Sequence, residues 1–275
     1  MQNQMNNDNG FKEKSGTLRK IVWWILMGVL IVFSMLYLFA TFAAPVKKIH
    51  QLNRAFNDTI SPDLLDKAYP DPDNPDLFKL YKEKIFLESR LGMAKTNSIG
   101  LVVNLKDSIL NIEIDGINLR SCKISKYRVS RTFMSIDNKA YLGLFSKPFT
   151  TVRNTGTFVK EPIVVKKAPK DTIEAARLAT VPDSVKTGPA YIAMTLDYNI
   201  RLSLYQENTG SIWALIYRFI FKSGRRFRQA GETIWGALTF KVPEYRPEIR
   251  VFIPKDDLVT IFRALPVDNH VVIKI

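Results

Sequence analysis

Residues 21–44, IVWWILMGVLIVFSMLYLFATFAA, contain no charged residue. A helix of that length reaches about 36 Å, enough to cross the roughly 30 Å hydrocarbon core of a bilayer with some tilt. Inside lipid the backbone must satisfy its own hydrogen bonds, so the stretch is expected to be helical. Trp23 and Trp24 lie near one end and Tyr37 towards the other, as amphipathic rings do at membrane interfaces. A buried core helix is seldom apolar all round for so long.

Lys12, Lys14, Arg19 and Lys20 precede the stretch, and Lys47, Lys48 and Arg54 follow it. This bias leans towards an N-terminus inside and the bulk of the chain outside, a single-pass signal anchor. A cleaved signal peptide has an apolar core of about 7–15 residues and a small-x-small cleavage site. Ala43-Ala44-Pro45 is a poor site, so retention is expected. The polar residues 1–20 are expected to form a disordered cytoplasmic tail.

Chemistry is narrowed by what the chain lacks. Cys122 is the only cysteine and His50 and His270 are the only histidines, which excludes an intrachain disulfide and cysteine-based zinc sites. No metal or cofactor is implied. The net charge of +14 points to an acidic partner: lipid headgroups, an anionic wall polymer or, least suited to an exported domain, nucleic acid.

Residues 45–97 read as a helical stalk, broken by three prolines in Tyr69–Pro75 and restarted at Asn74-Pro75-Asp76 with a capping side chain, a first-turn proline and an acid. Its Leu77, Leu80, Tyr81 and Ile85 make an apolar stripe, and Gly92 is a plausible stop. From Ser98 the period changes to that of strands. Ile99–Leu105, Ile109–Ile114 and Ile117–Ile124 form a meander, with Asp115-Gly116 as a two-residue hairpin turn. Cys122, on the third strand, reads as a packed small hydrophobe. Ala140–Phe145 and Ile163–Lys166 look like strands, and Thr172–Leu178 like a short helix. Tyr191–Leu196 and Ile200–Tyr205 are strands around the turn Asp197-Tyr-Asn199. Ser211–Phe221 is apolar and aromatic but too short to span, and Lys222, Arg225, Arg226 and Arg228 follow it. That pairing is either a membrane-surface element or a buried helix with a solvated basic loop.

The end of the chain, Tyr245–Leu258, Val259–Pro266 and Val267–Ile273, reads as a strand, a helix from near Asp256 with Leu258, Ile261, Phe262 and Leu265 on one face, a turn, and a closing strand. This order resembles the end of the L,D-transpeptidase catalytic domain. That family's motif runs Ser-His-Gly-Cys-Ile-Arg, then Asp and Leu, a short helix ending Leu-x-Pro-Val, and a Gly-Thr-Pro-Val-x-Ile strand. The opening meander is similar to the family's first hairpin, so the two ends bracket residues 98–275. The resemblance implies a mainly β sandwich or barrel with short helices, preceded by one transmembrane helix and the stalk.

On that motif Arg250 takes the place of the family's arginine, but Glu248 stands where the nucleophilic cysteine belongs. Arg246 replaces the histidine, Pro247 the glycine and Tyr245 the serine. The family's chemistry needs a thiolate, a base and backbone oxyanion donors. The resemblance therefore implies a scaffold without its catalytic group, held in the bacterial inner membrane with its domain in the periplasm. Its expected work is binding peptidoglycan or an envelope-assembly partner, with Arg246 and Arg250 either side of Glu248 as a clamp for carboxylates. One rival is a hydrolase using Glu248 and Asp197 as paired carboxylates. Another is a β-domain that recruits anionic lipid through Lys222, Arg225, Arg226 and Arg228.

Overall fold

A computed structural model describes residues 2–58, 67–157, 188–207 and 242–275, with isolated positions between 216 and 239. The chain divides into two compact units: Met1–Lys47 with Phe227–Tyr245, and Lys48–Arg226 with Arg246–Ile275.

In the first unit the apolar stretch lies within helix α1, Gln2–Asp58. Val22–Phe56 has a mean hydropathy of 2.4 in its most apolar window, only 6% of which is buried. That exposure distinguishes it from a core helix of a soluble protein, and it is long and apolar enough to cross a membrane. Trp23 and Trp24 stack edge-on at 6.2 Å. The helix begins at Gln2, where a disordered tail was expected over residues 1–20. Extending a helix costs far less than nucleating one, so a long apolar helix can carry a polar flank with it. It also runs through Pro45, which removes one backbone donor without ending the helix.

The second unit is built on one mixed sheet of nine strands in the order β3-β2-β1-β9-β5-β6-β7-β8-β4. Here β1 is Gly100–Asn104, β2 Ile109–Ile114, β3 Ile117–Lys123, β4 Lys126–Val129 and β5 Phe149–Gly156. Strands β6 Tyr191–Leu196, β7 Arg201–Gln206, β8 Glu248–Ile253 and β9 His270–Lys274 complete it. The expected meander is β1-β2-β3, all antiparallel. Its hairpin turns on Asp115 (φ 51°) and Gly116 (φ 79°), the left-handed pair a tight turn of this type requires. The β6–β7 hairpin likewise turns on Tyr198 (φ 56°) and Asn199 (φ 59°).

Only Ile124 and Ser125 separate β3 from β4, yet these strands are the two edges of the sheet. Three Cα steps span at most about 11 Å, so the sheet must curl until its edges come close. Ile124 N–H donates to Ser108 at 2.8 Å on one side, and Ser125 N–H to Phe252 at 2.9 Å on the other. The curl encloses one apolar core to which β1, β2 and β6–β9 all contribute. This agrees with a mainly β fold preceded by one long apolar helix.

Helix α5, Lys255–Ala264, covers that core with Leu258, Ile261 and Phe262 buried, as its period indicated, and Leu265 just beyond it is buried too. Residues Ala140–Phe145, expected as a strand, belong instead to helix α4, Asn138–Phe145. All six are buried, and a short apolar run buried on every side carries no period to tell strand from helix. Gly143 in α4 lets the Phe56 ring approach: a Cβ there would lie 2.7 Å from it. Leu52 and Phe56, from the end of α1, are thereby part of the core. A four-residue helix α3, Thr132–Ser135, precedes α4.

Helix α2, Pro75–Ala94, is capped by Asn74, whose side chain accepts from the N–H groups of Asp76 and Leu77. It lies on the opposite side of β1 and β9 from the main core, with Phe86 and Met93 packed on Val102 and Val272. It passes Gly92, expected as a stop, and ends at Ala94. Gly92 is a packing position, since a Cβ there would be 3.2 Å from Pro148. Residues Ile163–Lys166, Thr172–Leu178, Lys222, Arg225, Arg226 and Arg228 lie outside the described residues.

Candidate functional site

Alternation along β6, β7 and β8 separates two faces. Ile192, Met194, Leu202, Leu204, Ile249 and Val251 point into the core. The intervening residues form the reverse face, and strand register sorts them into rows across the sheet. The first row is Arg153, Thr195, Arg201 and Glu248. The second is Thr155, Ala193, Ser203, Arg250 and Arg128. The third is Tyr191, Tyr205, Phe252 and Lys126.

Glu248 is the only carboxylate in these rows, against the five cations Lys126, Arg128, Arg153, Arg201 and Arg250, which leaves four positive charges in excess. The Glu248 carboxylate is fully engaged. Ser203 donates its hydroxyl to Oε1 at 2.7 Å, and Arg250 donates Nε to Oε2 at 2.6 Å. Burial alone would raise its pKa. The hydrogen bonds from Arg250 and Ser203, with the charges of Arg250 and Arg201, outweigh burial and hold it below the usual carboxylate value. A carboxylate held ionised in this way is unsuited to donating a proton.

The third row is aromatic. Tyr191 and Tyr205 have ring centroids 5.7 Å apart, and Tyr205 stacks on Phe252 at 5.4 Å. Both tyrosines and Ser203 are buried, whereas Arg128 and Arg153 at the two flanks are exposed. The face is thus a charged band beside an aromatic one, with accessible cations on β4 and β5.

Of the residues singled out from the sequence, Glu248 and Arg250 are brought into direct contact. Arg246 is half-buried two residues upstream of Glu248, just before β8. Arg250 is engaged by Glu248, so it must exchange that partner to clamp an incoming carboxylate. Asp197 sits in the β6–β7 turn, where it accepts from the Thr150 N–H at 2.7 Å and ties that turn to β5. Cys122 is buried in the main core and burial pushes its thiol up to about 12, the environment of an inert packed thiol. His270 is at the start of β9, and His50 is on α1. Among the described residues no group of three or more His, Cys, Asp or Glu could hold a metal ion.

Sequence reading missed Lys126, Arg128, Arg153 and Arg201. Each sits at an alternating position of a strand, so a period of two could place it on the polar face. Only the strand order joins β4 and β5 to the face of β8. Comparison with protein-family models, curated proteins and solved structures finds no match to this chain.

Proposed function

We propose that this protein is a single-pass membrane protein of the bacterial inner membrane whose sheet unit works outside the cytoplasm. There it acts as a non-catalytic, L,D-transpeptidase-like module that binds peptidoglycan. The observation that carries the reading is the cationic face of β4–β8–β7–β6–β5, with five cations against the single acid Glu248. Stem peptides of the wall carry carboxylates, and guanidinium groups bind these through charge-assisted, bidentate hydrogen bonds. Exposed Arg128 and Arg153 make the first contacts, and Arg250 is the interior donor that can turn from Glu248 to the ligand. The aromatic row of Tyr191, Tyr205 and Phe252 stiffens the floor beneath.

The test is co-sedimentation of the full-length protein, in detergent, with purified peptidoglycan. Wild type should pellet at physiological salt, and Arg128→Gln/Arg153→Gln should weaken binding about tenfold, near 1.4 kcal/mol. Attachment through diffuse charge alone would disappear with modest added salt. A wild type that stays in the supernatant overturns the proposal, as does acyl transfer between stem peptides that Cys122→Ser abolishes.

A further inference from the structure

We infer that α2 is a contact between two copies of this chain, paired antiparallel about a twofold axis. Ile85, Phe86, Ser89 and Met93 are the buried face of the helix. Leu80, Leu87 and Leu91 lie on the opposite face and are 65%, 58% and 59% exposed. With Leu77, Lys84 and Ala94 they make one seam, along which the steps alternate between three and four residues. That is the heptad spacing of paired helices: Leu77, Lys84 and Leu91 hold one set of core positions, and Leu80, Leu87 and Ala94 the other. A helix already seated through one apolar face gains nothing in the monomer from a second. Large apolar side chains aligned on that exposed face mark a contact.

Pattern and charge choose a second copy as the occupant, and they choose its direction. Reversed about its middle, the seam matches itself layer by layer. Leu80 meets Leu91 of the second copy, Leu77 meets Ala94, and Lys84 meets Leu87. An isologous interface requires such self-matching. The reversal also brings Asp76, in the first turn, level with Lys95 at the other end of the second helix, so opposite charges and opposite dipole ends adjoin. Lys84 comes level with Glu88 of the second copy. Within its own chain Lys84 donates to the Ala68 carbonyl at 3.0 Å and lies over the Tyr69 ring. Its stem therefore stays on the seam while its ammonium turns aside. A parallel pair would instead put Lys84 against Lys84 in one layer. Asp76, Glu83 and Glu88 on and beside this face of the helix make an anionic leaflet a poor occupant.

The inference rests on α2 alone and stands whether or not the sheet binds polymer. The test is oxidative cross-linking of the full-length protein carrying Cys122→Ser. It is run in detergent and again in phosphatidylcholine vesicles, where no free detergent competes for the leucines. Leu80→Cys/Leu91→Cys should give a disulfide-linked dimer. Neither single variant should, because its two thiols then stand eleven residues apart along the pair, about 16 Å. The same distance separates the two cysteines within one chain, beyond the reach of an internal bridge. Leu77→Cys/Ala94→Cys leaves the three exposed leucines in place and should cross-link alike, which keeps the test open if the first pair loosens the seam. Adding Leu87→Glu should abolish both cross-links with the circular dichroism unchanged. Cross-linking by neither pair in either medium overturns the inference. A dimer formed by Leu80→Cys or Leu91→Cys alone reports a parallel pair or random collision and overturns it too. Cross-links that survive Leu87→Glu come from a contact elsewhere, and α2 is then not the interface.

Discussion

Two polar surfaces of the sheet are handled in opposite ways. Under α2, charges are matched one against another. Arg90 grips Glu113 through two hydrogen bonds of 3.1 and 2.9 Å, and Glu83 takes Lys106 and Lys274 together. Those two lysines hold Glu83 below the usual carboxylate value. Apolar Phe86, Met93, Val102 and Val272 fill the space between. In the strand rows of the β6–β7–β8 side, five cations stand with one acid, Glu248, among the described residues. A matched set of ion pairs glues a helix to a sheet; a face with one sign of charge in excess carries a field that can attract the opposite sign. The contrast separates the surface that holds α2 to the sheet from the surface proposed above to meet a ligand.

The largest effect is expected where a matched pair is broken. The Glu113 side chain is wholly buried while Arg90 is 34% exposed. Arg90→Ala leaves a buried charge without its partner, which costs about 3–5 kcal/mol. Partial access of water puts this case at the lower end. The denaturation midpoint of the full-length protein in detergent should fall accordingly. Arg90→Met/Glu113→Leu should recover most of the loss, since an apolar pair can replace a buried ion pair at little cost. If the double variant is as unstable as the single one, the pair holds α2 by geometry that apolar packing cannot supply.

A smaller effect is expected at Glu248, where the only acid of the cationic face meets Arg250 and Ser203. Glu248→Gln removes a charged acceptor of hydrogen bonds, worth about 1.5–3 kcal/mol. Its dependence on pH follows from the lowered pKa. The folded state favours the ionised form, so the stabilisation is complete above the ordinary glutamate pKa and is lost as pH falls through the lower, folded value. Wild type and Glu248→Gln should differ most near neutrality and converge in acid. A difference that persists unchanged in acid would show that Glu248 acts through packing and not through its charge.

How much of this was legible beforehand depended on whether the cause was local. The long apolar helix, the Asp115-Gly116 hairpin, the Asn74 cap and the amphipathic helix α5 are each written in their own stretch of sequence, and each appears where its residues place it. The run Ala140–Phe145 is apolar on all sides, so its helix is set by the core around it and not by its own pattern. The cationic face was half legible. Glu248 and Arg250 stand two apart on one strand, but Arg128 and Arg153 reach the same face only because β4 joins β8 and β5 joins β6. A sheet order is a property of pairings far apart in sequence, and alternation within one strand is silent about it.

The smallest expected change in stability is also the most informative. Arg128 and Arg153 are exposed, on opposite flanks of the cationic face. Surface substitutions away from caps, cavities and buried pairs usually stay within about 0.5 kcal/mol, so Arg128→Gln/Arg153→Gln should unfold with wild type. Removing two of several like charges from one face also relieves some mutual repulsion, so a slight stabilisation is the expected sign. The same variant is the one expected to lose peptidoglycan. Arg90→Ala, on the α2 side, is expected to keep it. Binding lost without stability on one side, and stability changed without binding on the other, would separate the two surfaces by function. Should the α2-side variant lose the polymer as well, the ligand reads the total charge of the domain, and no single face of the sheet is its site.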